Sequence, residues 1–318
     1  MPDPTYPSRH RIASYLLCAL ILLGALGCRG NARRGGSAIT VASAHTPEQL
    51  VLGQITVQAL RAAGYTVVDQ TGMGDQRAVR TAVETGRADL YWDYTGDTWT
   101  HHLGHDIPIS DPQEMHRQVR EQDARNEITW LSPTRCRHVM GLVLRREMAR
   151  QNELTDIEDL LRYISRYNPY MSLCTPEDVY DQFSGVRGLA RIYGLHFDQA
   201  RMRYLSIGDG YEALADGVCD VAIGYSTDPP LVALDLVMLN DARGLFQSSP
   251  LAVAVRTPLL REYPALEGLL AQVSTLLTQE TVLELGQQVG IHGEDPEVVA
   301  RRFLTENNLA GKRRLFGR

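Results

Sequence analysis

The sequence predicts an α/β protein of two lobes, each a mainly parallel sheet with helices on both faces, and a ligand cleft between the lobes. Three observations predict it. Apolar runs of strand length alternate with amphipathic stretches of helical spacing along the chain, the pattern of parallel sheets wrapped by helices. At 318 residues, the chain is long enough for two domains of ordinary size. Two distant stretches, 84–97 (ETGRADLYWDYTGD) and 215–228 (ADGVCDVAIGYSTD), also share one register. The first places Gly86, Asp89, Tyr94 and Asp97 where the second places Gly217, Asp220, Tyr225 and Asp228. Each reads as a helix, a glycine turn, a buried strand (88–92 and 218–223), then a polar loop opened by a tyrosine. Ligands of α/β sheets gather at the carboxyl ends of strands, where such loops lie. Two matching loops therefore predict two similar lobes, each offering a tyrosine to one cleft.

The elements follow in order. Residues 39–43 read as a first buried strand. Thr46-Pro47-Glu48-Gln49 starts a helix, with Thr46 as N-cap, Pro47 at the first helical position and Gln49 completing a capping box; the helix ends at Gly64. A strand over 65–69 follows. The glycines of Thr71-Gly72-Met73-Gly74-Asp75 fit neither a dinucleotide fingerprint nor a phosphate loop, and predict a tight turn into a helix ending at Glu84. A short helix over 98–103, a longer one over 111–126 and a strand over 128–131 come after the first tyrosine loop. A strand over 139–144 makes the first crossing between lobes. Thr155-Asp156-Ile157-Glu158 is a second capping box, opening a helix to Tyr167. Strands over 170–173, 201–205, 218–223 and 234–239 alternate with helices over 185–193 and 209–215. The strand 250–255 returns the chain to the first lobe, and helices over 259–277, 281–289 and 296–307 finish it. The lobes are then 39–138 plus 250–310, and 139–249.

Composition sets the class. The chain is 44% hydrophobic and 22% charged, a globular balance rather than a disordered one. Net charge is −6 with Lys and Arg scattered, which gives a nucleic acid no basic surface; Lys312-Arg313-Arg314 reads as a solvated tail over 311–318. Arg9 and Arg11 precede an apolar run over 12–26, too short for an ordinary span, and then Gly27-Cys28. That arrangement predicts a signal peptide over 1–27. Ala25-Leu26-Gly27-Cys28 resembles a bacterial lipobox, so lipid attachment at Cys28 is expected, with a simple signal peptide or an uncleaved anchor as the alternatives. Either way the folded part is exported, to the periplasm or cell surface, and residues 28–38 are a polar Gly-rich linker. Cys136, Cys174 and Cys219 remain; at least one is unpaired within the chain, and spacing does not say whether two are bridged. None has zinc-ligand spacing.

The cleft candidates are Tyr94, Asp97, Tyr225 and Asp228, with Trp92, Trp99 and Arg135 nearby. Facing tyrosines suit a cation without hydrogen-bond donors, because each ring face attracts it by about 0.5–2 kcal/mol. Tyrosine at a strand end is also a common rim residue with a wet hydroxyl; the duplicated register favours function. Asp97 and Asp228 read first as helix N-caps, and Trp92 as core. His101, His102 and His105 cluster near Asp106 but look like a loop rather than a ligand-bearing helix face, so no metal is expected. No nucleophile elbow, zinc motif or phosphate loop appears, and no nucleophile–base pair argues for an enzyme.

Three segments, ITVASAHTPEQLVLGQ, RADLYWDYTGDTW and DVAIGYSTD, together with the order of elements, resemble the substrate-binding lipoproteins of osmoprotectant (glycine betaine, carnitine, choline) ABC transporters. The resemblance implies a type II periplasmic-binding-protein fold that closes on its ligand by hinge motion. It implies a monomer with no cofactor, delivering a small osmolyte to an inner-membrane ABC permease. It implies a box of aromatic side chains around the trimethylammonium group, with basic and hydroxyl groups on the carboxylate. Tyr94 and Tyr225 stand at two box positions. The third is Met140, on the crossing strand, and the fourth falls near Ser249. The usual Lys after the first strand is Ala44, with His45 beside it; the usual Arg of the second lobe falls near Gln182; the expected Thr two residues after Thr95 is Asp97. Losing two rings forfeits about 1–4 kcal/mol of cation attraction, and losing the basic clamp removes charge-assisted bonds to a carboxylate. The expected ligand is a quaternary-ammonium or related osmolyte bound by Tyr94, Tyr225, Asp97, Met140, His45 and Ser249, and Asp97 in the pocket favours a cation lacking a carboxylate, such as choline or a polyamine-like amine. An exported sensor or scaffold with a changed or lost ligand is the alternative.

Overall fold

The computed structural model describes residues 37–310, apart from 106, 108, 110 and 247. The expected signal peptide, Cys28, most of the linker, Asp106 and the tail 311–318 lie outside the described residues.

Strands form where the apolar runs are. They are β1 Ile39–Ala42, β2 Val67–Gln70, β3 Leu90–Tyr94, β4 Ile128–Trp130, β5 Arg137–Arg145, β6 Leu173–Thr175, β7 Met202–Tyr204, β8 Val221–Tyr225, β9 Leu236–Met238 and β10 Ser248–Arg256. Their order is β2-β1-β3-β10-β5-β8-β6-β7, with β4 on β10 and β9 on β5. Each half holds a parallel trio, β2-β1-β3 in one and β7-β6-β8 in the other. Two long strands add antiparallel pairing: β10 runs against β3, β4 and β5, and β5 against β8 and β9. The reason is the crossing itself. The chain leaves one half along β5 and returns along β10, so the two lie side by side in opposite directions, joined where Ser248, Ser249 and Pro250 face Val139, His138 and Arg137.

Both sheets are covered on both faces. Leu251, Val253 and Val255 of β10 pack with Ile39, Val41 and Trp92 under the helices Pro47–Ala62, Ala265–Leu276, Gln279–Gly290 and Pro296–Glu306. The alternate residues Ala252 and Ala254 face Tyr91 and the helices Gln76–Glu84 and Pro112–Asp123, as a two-residue strand period requires. In the other half, Leu142, Leu144, Val221 and Ile223 lie under Ile157–Arg166 and Val186–Tyr193, while Val143 and Ala222 face Ile207–Ala215.

Local chemistry moves several boundaries. The strands expected over 88–92 and 218–223 start later and end on Tyr94 and Tyr225 themselves. Gly86 and Gly217 make the preceding turns at φ +74° and +77°. The aspartates that follow are straps to the neighbouring chain segment. Asp89 Oδ2 accepts from the Thr40 N–H at 2.8 Å. Asp220 Oδ2 accepts from the Ser172 N–H and hydroxyl, each at 2.8 Å. Ladder pairing therefore begins only beyond them. Thr46 makes no side-chain cap, and Gln49 Nε2 donates to Glu48 instead. The second capping box closes one residue later, between Asp156 and Asp159. The helix expected over 259–277 is two, Thr257–Glu262 and Ala265–Leu276, separated at Pro264. The helix Arg146–Gln151 was not foreseen. The glycine loop is the expected turn, with Gly72 at φ +73° and Asp75 capping Gln76–Glu84. Cys174 and Cys219 form a disulfide, and Cys136 is a buried free thiol.

Candidate functional site

The carboxyl ends of β3 and β8 meet at a cleft of about 440 Å³. From one half it is lined by Ala44, His45, Thr46, Pro47, Glu48, Gln49, Asp75, Gln76, Asp93, Tyr94 and Asp97, and from the other side by His138, Thr227, Asp228 and Pro229.

A three-ring stack lies at its centre. Tyr94 and His138 have ring centroids 4.6 Å apart at 27°. His138 and Tyr225 are 4.2 Å apart at 21°. The tyrosine at the end of each strand thus flanks one imidazole, which hangs on β5 where the chain crosses between the halves. His138 Nδ1 shares a 2.7 Å hydrogen bond with the Thr227 hydroxyl. Burial pushes its pKa down, and Asp97 and Asp228 pull the other way. Tyr94 is 5% exposed; its hydroxyl donates to Glu48 Oε2 at 3.0 Å and lies 3.8 Å from Cys136 Sγ. That thiol is pushed up to about 12 by burial and is inert.

The rest of the cleft is acidic. Burial raises Glu48 to about 7, against the lowering pull of its bonds to Tyr94 and Gln49. Asp93, accepting from Thr98 Oγ1 and the Tyr94 N–H, is raised to about 7 by burial and then by Asp97. Burial also raises Asp228, which accepts from the Tyr211 hydroxyl at 2.6 Å. The same Tyr211 oxygen accepts the Tyr225 N–H at 2.8 Å, so one buried phenol positions both members of the second loop. Gly224 makes room for it: a Cβ there would sit 2.3 Å from that oxygen. No Lys or Arg lines the cleft among the described residues.

Several sequence-derived candidates come together. Tyr94, Asp97 and His45 line the cleft, His45 at its mouth with Nδ1 on the Gly74 carbonyl at 2.7 Å. Tyr225 is not itself a lining residue and adjoins the cleft through its stack on His138. Met140 and Ser249 are not among the lining residues. Met140 pairs with Tyr225 across β5 and β8 and packs on the core of its half; Ser249 is buried opposite His138 in the crossing ladder. Arg135 is exposed, and so is Gln182. Neither Asp97 nor Asp228 is a side-chain helix cap, which corrects the first reading of both: Asp97 lies inside a helical turn, and Pro229 precedes the turn Pro230–Ala233. Trp92 is core, its indole N–H on Thr56. His105 stacks on Trp99 and bonds Gln122, away from the cleft.

Glu48, Asp93, His138 and Tyr211 escaped sequence reasoning. Glu48 looked like an ordinary acid in a first helical turn, and Asp93 like strand. His138 did carry a signal, for it precedes Met140 by two residues and so shares its strand face. Gly224 signalled close approach inside a strand, but not by which side chain.

The family model of the substrate binding domain of ABC-type glycine betaine transport system (OpuAC) matches residues 37–306. The chain belongs to this family. It is similar to the glycine betaine-binding protein YehZ of Escherichia coli, 28% identical over 280 residues, covering 86% of this chain and 92% of that one. It is also similar to a glycine-betaine-binding protein of Pseudomonas aeruginosa, 28% identical over 300 residues, covering 92% and 93%. Among solved structures, apo YehZ of Escherichia coli matches with a TM-score of 0.74 at 26% identity, over 86% of this chain and 100% of that one. A glycine betaine/carnitine/choline ABC transporter structure matches with 0.76 at 22% identity, over 86% and 99%, a likeness of fold. OpuAC-type chains are extracytoplasmic solute-binding proteins of ABC importers with the two-lobed fold seen here, and this chain is one. No helix among the described residues is long and apolar enough to cross a membrane.

Proposed function

We propose that this receptor is selective for cations without a carboxylate, choline being the simplest, and hands them to its permease by hinge closure. The observation that carries the reading is the pairing of the Tyr94–His138–Tyr225 stack with Glu48, Asp93, Asp97 and Asp228, in a cleft that no Lys or Arg lines among the described residues. Tyrosine faces attract a quaternary ammonium by their quadrupoles, and carboxylates in a partly dry cleft attract it over a longer range. The same carboxylates repel the carboxylate of a zwitterion, and Ala44 offers it no counter-charge. The role is binding without catalysis. The chain acts as a monomer, exported and tethered through Cys28; the Cys174–Cys219 bridge fits an oxidising compartment.

Titration calorimetry at pH 8 with choline, glycine betaine, carnitine and spermidine tests the ligand class. Choline is expected to bind at least tenfold more tightly than glycine betaine. Tight glycine betaine binding that survives Asp97→Ala overturns the reading. The imidazole between the tyrosines favours a second reading, an exported sensor or scaffold whose ligand has changed or been lost, and binding of none of the four solutes selects it. Loss of radiolabelled palmitate from Cys28→Ser, with wild type labelled, tests the tether.

A further inference from the structure

The slot between Tyr94 and Tyr225 holds a ring of the chain's own. A quaternary ammonium is held by an aromatic face within about 6 Å of its centroid. The His138 ring sits 4.6 Å from one tyrosine and 4.2 Å from the other, nearly parallel to both. Such spacings leave room between the two faces for the imidazole and nothing else. The position a ligand cation needs and the position of this side chain are therefore the same.

We propose that His138 is a displaceable internal occupant of the cation slot, and that it sets both the affinity of the receptor and the size of ligand admitted. The proposal rests on the cation-receptor reading above. Two features support it. Among the described residues the His138 side-chain hydrogen bond runs to a hydroxyl, Thr227 Oγ1, a tether that water replaces at small cost. The ring also bridges Tyr94 and Tyr225 from the two halves, at the strand where the halves are joined, as a bound ligand must. A ligand then competes with the imidazole, and its apparent affinity is reduced by the fraction of molecules in which the slot is free.

The experiment is calorimetry of choline, tetramethylammonium and glycine betaine at pH 8 against wild type, His138→Ala and Thr227→Val. The His138 ring protons of the wild type are followed by NMR in parallel. Those protons are expected upfield of their free values, under the two tyrosine faces, and are expected to move back as choline is added. His138→Ala is expected to bind choline about tenfold more tightly, from the loss of two competing stacks, and Thr227→Val a few-fold more tightly. Equal or weaker choline binding by His138→Ala overturns the proposal, because the imidazole is then a wall of the site or unconnected to it. Ring protons that stay upfield in the choline complex overturn it too. If glycine betaine binds instead of choline and His138→Ala relieves it, the ligand class falls and the occupant stands. If no protein of the set binds any cation or zwitterion, both fall.

Discussion

Glu48 holds a proton near neutrality because burial disfavours its charged form, and with Asp93 it couples the receptor to pH. Its pKa is 4.5 when unperturbed and about 7 in the fold. Between those values the native state keeps a proton that the unfolded chain has released. The stabilisation it contributes is therefore full below about 4.5 and is lost as pH rises through about 7. Urea melts at pH 5 and pH 8 are expected to show this loss in wild type and a smaller one in Glu48→Gln. His138 opposes it, since its lowered pKa costs stability as pH falls below 6.5, so the comparison with Glu48→Gln is the one that isolates the acid. Cation affinity runs the other way: it rises from pH 6 to pH 8 as Glu48 and Asp93 ionise. Asp97→Asn is expected to weaken choline binding by about 1–3 kcal/mol, roughly 5- to 150-fold in calorimetry, by removing one charge at an effective dielectric near 20. At this scale the sequence disclosed Tyr94, Tyr225, Asp97 and Asp228, because two copies in one register expose each other. Glu48, Asp93 and His138 have no such copy, and only their shared cleft marks them.

Elements carry the duplication further than residue identity alone implies. Asp89 and Asp220 do the same work in each half, tying the entrance of β3 and β8 to a neighbouring segment. Tyr211 then fixes the exit of β8. Gly224→Ala would place a Cβ 2.3 Å from the Tyr211 oxygen, push the phenol off Asp228, and weaken choline binding several-fold while the disulfide still forms. Reduction of Cys174–Cys219, which are 45 residues apart, is expected to cost about 2–4 kcal/mol. Hydrogen exchange should show that loss in β6 and β8 and leave β1 and β3 protected. In the other half Arg80 and Asp123 form a buried pair, 1% and 0% exposed, and Asp123 also accepts the Trp130 indole N–H. Asp123→Ala leaves the buried guanidinium with Glu84 as its remaining carboxylate partner and is expected to cost about 3 kcal/mol in urea melts. The strands were legible because their apolar runs are short and bounded by turns. Their ends were not, because a strap aspartate looks like any polar residue. The pairing of three cysteines was not legible either, since it depends on which two the sheet brings together.

The described chain is one run of ten strands in two covered halves joined by β5 and β10, and on the proposed reading one half closes on the other when ligand binds. Ligand that binds only the native state adds stability by mass action. At a hundred times the dissociation constant, choline is expected to add about 2.7 kcal/mol, or roughly 5 °C in a thermal melt of a chain this size. Small-angle scattering should show a smaller radius of gyration with choline, and the same value with and without a solute that does not bind. The sequence by itself determined the class: strands alternating with helices, two matching tyrosine loops, and the family to which these motifs belong. Those are properties of local periodicity and short motifs, which neighbouring residues specify between themselves. Only the tertiary structure decided what stands between the tyrosines and how acidic the cleft is. Glu48, Asp93, His138 and Asp228 come from separate segments, and burial and mutual distance, which set their charge and their reach, exist only once those segments are packed.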